Sequence, residues 1–82
     1  MKYFVYMLRC SDQSLYTGIT NDIERRLDQH NKGKASKYTR ARTPVQLVYQ
    51  EECVDKSSAL IREHEIKKYS KQRKEIMASK KE

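Results

Sequence analysis

The sequence predicts an α+β domain: a small three-stranded, mainly antiparallel sheet flanked by helices in the order β-β-α-β-α-α. Three observations predict it. Tyr3 to Arg9 and Leu15 to Thr20, rich in aromatic and β-branched residues, are joined by the polar run Ser11 to Ser14, as a hairpin requires. A third alternating segment, Val45, Leu47 and Tyr49 against Gln46, Val48 and Gln50, arrives only after a stretch with helical signals. The chain beyond it carries helix caps and no strand pattern.

In the first strand both alternate sets are apolar, Tyr3, Val5 and Met7 on one side and Phe4, Tyr6 and Leu8 on the other, which marks a central strand covered on both faces. The second alternates Leu15, Thr17 and Ile19 against Tyr16, Gly18 and Thr20. Asn21 as N-cap, with Glu24 three residues on and Gly33 as the stop, predicts a helix over Asp22 to Lys32. A basic loop follows to Arg42, and Pro44, whose missing N–H costs nothing at a strand start, opens a third strand ending near Glu52. Asp55 caps a helix running to about Tyr69, and Ser70 caps a shorter basic helix that frays toward Glu82. The expectation is a single domain over 1–82, with its core at about 3–69 and the basic helix at about 70–80.

The chain has 82 residues, 37% of them hydrophobic and 35% charged, with a net charge of +7. That composition still fits a compact globule, and the basic excess is clustered. Lys32, Lys34, Lys37, Arg40 and Arg42 occur with no acid among them. From Lys67 onward seven basic residues, including Lys68, Lys71, Arg73 and Lys74, face only Glu75 and Glu82. Clustered cations favour a polyanionic partner through counterion release, where evenly spread lysine would only serve solubility. Cys10, Cys53, His30 and His64 lack the short paired spacings of a structural zinc site. The apolar run Tyr3 to Leu8 is too short for a membrane span or signal peptide, so no membrane association and a cytoplasmic setting with reduced thiols are expected.

Several polar residues fall on the wrong faces. Taking about 100° per residue from Ile23, Leu27 lies roughly 40° to one side, His30 roughly 20° to the other and Arg26 roughly 60°, whereas Arg25 points away. In the later helix Ala59, Leu60 and Ile66 define an apolar face that includes Glu63, while Glu65 points elsewhere and Ile61 is left to contact the last helix. Structural explanations exist for each: arginine snorkels, histidine fills cores, and Glu63 can pair with Lys67 one turn on. The functional explanation is that a carboxylate among apolar neighbours needs a cation or a proton. A hairpin register with Leu8 opposite Tyr16 and Tyr6 opposite Gly18 sets both tyrosines on one face, with Gly18 leaving space beside Tyr6. Two hydroxyls, an arginine, an imidazole and a carboxylate beside a basic loop form a set suited to phosphodiester chemistry.

The residues Phe4-Val5-Tyr6 and Tyr16-Thr17-Gly18, the segment "ITNDIERRLDQH" and the helix "ALIREHEIKKY" together resemble a standalone GIY-YIG nuclease domain, from about Tyr3 to Tyr69. Phe4 stands where the family has the first glycine, and Thr17 where it has the second isoleucine. The resemblance implies a metal-dependent endonuclease in which Tyr6 is the general base, with Tyr16 beside it. Arg26 then stabilises the scissile phosphate, His30 supports, and Glu63 holds one divalent ion, Mg2+ or Mn2+. Lys34, Lys37, Arg40, Arg42, Lys67, Lys68, Lys71, Arg73 and Lys74 are expected to hold backbone phosphates of nucleic acid, DNA before RNA. Many family nucleases carry a separate recognition domain, so a partner protein supplying target choice is also expected. The alternatives are a non-catalytic nucleic-acid-binding adaptor on the same fold, or a basic protein-interaction domain.

Overall fold

The structure, a computed structural model, describes residues 2–79. Strand β1 (Tyr3–Arg9) lies between β2 (Leu15–Thr20) and β3 (Gln46–Cys53), giving the order β2-β1-β3 with both pairings antiparallel. The doubly apolar strand is therefore the central one. Tyr6 pairs with Gly18 and Leu8 with Tyr16, the expected register. The hairpin reverses at Ser11 to Ser14, where Asp12 accepts from the Ser14 backbone and hydroxyl and Gln13 takes a left-handed φ of 72°.

Each face of β1 builds its own core, as the period of two demands. Val5 and Met7 pack with Ala59 and Ile66 of helix α3 (Lys56–Lys67) and, at the margin, with Met77 and Ala78 of α4 (Lys71–Ser79). Tyr6 and Leu8 face the other way, onto Cys10, Val45 and the Ile23 and Leu27 side chains of α1 (Ile23–Asn31). In a chain this small, each fully buried aliphatic side chain contributes roughly 1.5–3 kcal/mol, a large share of the net stability.

Two long-range polar contacts fix the ends of these layers. The Arg9 guanidinium donates to both Glu75 carboxylate oxygens at 2.6 Å, tying α4 to the central strand. The Asn31 side chain bridges the Val45 backbone, accepting from its N–H at 2.7 Å and donating to its carbonyl at 3.2 Å, which joins the end of α1 to the approach to β3.

Four expectations need correction. The first helix is capped by Asp22, whose carboxylate accepts from the Arg25 N–H at 3.1 Å, and not by Asn21; an aspartate one residue later offers the same acceptor. The third strand begins at Gln46, two residues beyond Pro44, because the Val45 backbone N–H and carbonyl are taken by the Asn31 side chain and not by a strand. Leu60 is 46% exposed and Ile61 more so, since the buried stripe of α3 runs through Ala59 and Ile66 to Tyr69 beyond its end, a quarter-turn away. The basic loop contains a further helix, α2 (Lys37–Arg40), capped by Ser36. Asp55 caps α3 and Ser70 accepts from the Arg73 N–H at the start of α4, as expected. The fraying toward Glu82 lies outside the described residues.

Candidate active site and nucleic-acid face

β1 and α1 bring Tyr6 and His30 into direct contact. Both are buried, and the Tyr6 hydroxyl lies 2.8 Å from His30 Nε2. Gly18 makes this possible: a Cβ there would meet the Tyr6 oxygen at 2.7 Å and its Cζ at 2.8 Å. The space beside Tyr6 that the register predicted is thus taken up, on the Gly18 side, by the Tyr6 ring itself. Tyr16 stands edge-on to His30 with ring centres 5.2 Å apart, and 6.5 Å from Tyr6.

The electrostatics of the pair are opposed. Burial, reinforced by the charges of Tyr16 and Glu63, pushes the Tyr6 phenol up to about 12 against the lowering influence of the Arg26 side chain. Burial, reinforced by the Arg26 charge, pushes His30 down to about 4. At neutral pH the imidazole is uncharged and the phenol protonated. Arg26 is half-buried, its Nη1 donates to Gln29 at 3.2 Å, and its Nε is buried with no hydrogen-bond partner among the described residues. A buried guanidinium nitrogen left unpaired is costly, and an anion would use the donor capacity of this side chain.

Glu63 lies on α3, which packs against β1 and β2, close enough for its charge to be felt at Tyr6. Its side chain is only 18% exposed and pairs with Lys67 Nζ at 3.2 Å, so the structural explanation of this carboxylate is realised. Glu65 is instead drawn off by Arg62, which also binds Glu51 and Tyr69. Among the described residues no three His, Cys, Asp or Glu side chains converge as a metal cage. Glu63 alone offers a hard oxygen donor, which suits a mostly hydrated Mg2+-like ion bound through one carboxylate and substrate phosphate, and suits zinc poorly.

Sequence reasoning missed Thr39, Tyr38 and Asp12. Thr39 is fully buried with its Oγ1 2.7 Å from His30 Nδ1. Tyr38 stacks on Tyr16 at 5.9 Å, and the Arg42 guanidinium lies 4.0 Å over the Tyr38 ring while donating to Asp12 at 2.9 Å. Ser36 followed by Thr39 was the available signal, but four helical residues are too few to show a period.

The basic residues divide by what already holds them. Lys34, Lys37, Arg40, Lys68 and Lys71 are exposed. Arg42 is committed to Asp12 and Tyr38, Lys67 to Glu63, and Arg73 lies 3.9 Å over the Tyr69 ring; Lys74 is half-buried. No helix among the described residues is long and apolar enough to cross a membrane.

The pattern of the GIY-YIG catalytic domain matches residues 2–76. A UPF0213 protein of Haloquadratum walsbyi is 57% identical over 77 residues, covering 93% of this chain and 85% of that one. One from Staphylococcus epidermidis is 55% identical over 73 residues, 89% of each. Among solved structures, the solution NMR structure of a UPF0213 protein from Bacillus halodurans superposes with a TM-score of 0.61 at 43% identity, covering 96% of this chain and 84% of that one. A protein from E. faecalis, also solved by NMR, gives 0.63 at 37% identity, covering 93% and 81%.

Proposed function

Because the chain belongs to the GIY-YIG family, we propose that it is a metal-dependent endonuclease that hydrolyses phosphodiester bonds in nucleic acid, DNA before RNA, within the cytoplasm. The observation that carries this reading is the Tyr6–His30 hydrogen bond, held beside an arginine with donor capacity to spare.

A phenol with a pKa near 12 is ionised to only about one part in 10⁵ at neutral pH, so Tyr6 is a poor base on its own. Its hydrogen bond to neutral His30 offers another route. As a water oxygen attacks phosphorus, the water gives a proton to the Tyr6 oxygen, Tyr6 passes its own proton to His30 Nε2, and the bond from phosphorus to the leaving sugar oxygen breaks. The Arg26 charge is one of the two causes that depress His30. A phosphate bound at Arg26 neutralises that charge, so substrate binding makes the imidazole a better acceptor. Tyr16 walls the imidazole. A divalent ion, which GIY-YIG nucleases generally use, would be held by Glu63 and would polarise the phosphate and stabilise the leaving oxygen. Lys34, Lys37 and Arg40 on one side, and Lys68 and Lys71 on the other, supply the electrostatic footprint, with a partner protein adding target choice.

The pairing of Lys67 with Glu63 favours a second reading, a nucleic-acid-binding adaptor that does not cut. Cleavage of a mixed set of DNA and RNA structures, with and without Mg2+ or Mn2+, separates the two. The nuclease requires metal-dependent cutting by the parent that disappears in Glu63→Ala and Arg26→Ala. Binding that weakens steeply with salt but yields no product from any of the three supports the adaptor. No shift of labelled nucleic acid at low salt rejects both.

A further inference from the structure

The short helix α2 does something that the basic character of its sequence conceals. Its N-cap Ser36 accepts from the Tyr38 and Thr39 backbone N–H groups, at 3.0 and 3.4 Å, which fixes where these two consecutive side chains point. Tyr38 goes to Tyr16, and Thr39 goes inward to His30. Thr39 is wholly buried, and the Thr39 methyl alone would be served as well by a valine. The hydroxyl therefore calls for an explanation, because burying one without a hydrogen bond is unfavourable.

The hydrogens around His30 can be assigned by elimination. The Tyr6 hydroxyl is buried, and the positive Arg26 side chain whose charge it feels is a pure donor that cannot take its proton, so the single Tyr6 proton needs an acceptor elsewhere. His30 Nε2, at 2.8 Å, is that acceptor and must carry a lone pair. A neutral imidazole with a bare Nε2 has its proton on Nδ1, which then donates to Thr39 Oγ1 at 2.7 Å. Thr39 in turn directs its own hydrogen to the Ser36 carbonyl, 3.4 Å away. The run from Tyr6 through His30 and Thr39 to Ser36 has one donor and one acceptor at each step, and reversing it would leave the buried Tyr6 proton with no acceptor among the described residues.

We propose that Thr39 is a positioning residue for this site: its hydroxyl accepts from His30 Nδ1 and so holds the imidazole in the tautomer whose Nε2 can take the Tyr6 proton. The consequence for activity rests on the nuclease reading above, but the tautomer itself does not. Such a partner on the far ring nitrogen is the usual way a functional histidine is oriented.

The test is the ring-nitrogen NMR spectrum of His30 in uniformly ¹⁵N-labelled full-length protein near pH 7, for the parent, Thr39→Val and Thr39→Ser. Valine keeps the shape and removes the hydroxyl, whereas serine restores it. The parent and Thr39→Ser are expected to show a protonated Nδ1 and a bare Nε2, and Thr39→Val a shift toward protonated Nε2 with its backbone amide spectrum preserved. Cleavage should fall about tenfold or more in Thr39→Val and recover in Thr39→Ser. A parent ring protonated on Nε2, or a Thr39→Val ring unchanged from the parent, overturns the proposal. If Thr39→Val does not fold, the parent spectrum still decides. If no substrate is cut, the nuclease reading fails while the tautomer assignment is judged on its own.

Discussion

The Tyr6 hydroxyl and His30 Nε2 lie 2.8 Å apart although 24 residues separate them in the chain, and their titrations move in opposite directions, to about 12 and about 4. The proton between them rests on oxygen throughout the neutral range. In the proposed reaction the two residues move one proton as a unit. Tyr6→Phe and His30→Gln are each expected to slow cleavage by about 10²–10⁴-fold, with the double variant no slower than the worse single. Losses that multiply in the double variant would mean that the residues act separately.

The depressed His30 pKa also sets how stability varies with pH. The folded value, near 4, lies below the ordinary 6.5, so between them the unfolded chain binds a proton that the buried imidazole refuses. The stabilisation is complete above about 6.5, falls as pH drops through this window, and reaches a loss of about 3 kcal/mol near pH 4. Hydrogen bonds from Ser14, Ser58 and Arg9 hold Asp12, Asp55 and Glu75 below their usual carboxyl values, so their contributions fade only at lower pH. Urea unfolding between about pH 5 and 7 should therefore show the parent losing stability as pH falls and His30→Gln staying nearly level. Equal slopes would remove His30 as the cause.

Gly18→Ala tests the close approach of the phenol to β2. The new Cβ would lie 2.7 Å from the Tyr6 oxygen and 3.2 Å from Tyr16 Cε2, so the rings must move. Because Tyr6 is buried, the cost should be about 1–3 kcal/mol of stability, and the bond to His30 should stretch or break. The diagnostic pattern is a raised His30 pKa by NMR together with a lower Tm. An unchanged pKa would mean that the sheet yields and the rings do not.

What the sequence revealed follows from what each signal depends on. The strands, the register and the inward placement of Arg26 and His30 on α1 were legible because they need only period and face. Tyr6 and Tyr16 were legible as same-face partners for the same reason. The Thr39–His30 contact was not, because it depends on how a four-residue helix folds back onto α1. Nor was the Arg9–Glu75 pair, which joins residues 66 apart and sets the lie of α4. Leu60 misled because hydrophobicity alone cannot say which side of a crowded helix reaches the core, where Ala59 fits the close approach to β1 better.

The Glu63–Lys67 pair yields a prediction about metal that does not require turnover. Lys67 is 53% exposed and one helical turn from Glu63, and such pairs are worth only about 0.3–0.5 kcal/mol, weakened further by salt. A doubly charged ion, which interacts more strongly with the same carboxylate, should displace the lysine with little penalty. Mn2+ added to ¹⁵N-labelled protein should broaden the amide signals of α3 around Glu63, and Glu63→Gln should abolish that broadening while leaving the fold intact. Lys67→Met should strengthen the interaction only about twofold at low salt, the size of the lost pair, with the difference shrinking as salt is added. Broadening that survives Glu63→Gln would move the ion to another carboxylate and detach Glu63 from the reaction. A gain far above twofold would instead make Lys67 a true competitor for the site, and the adaptor the better reading.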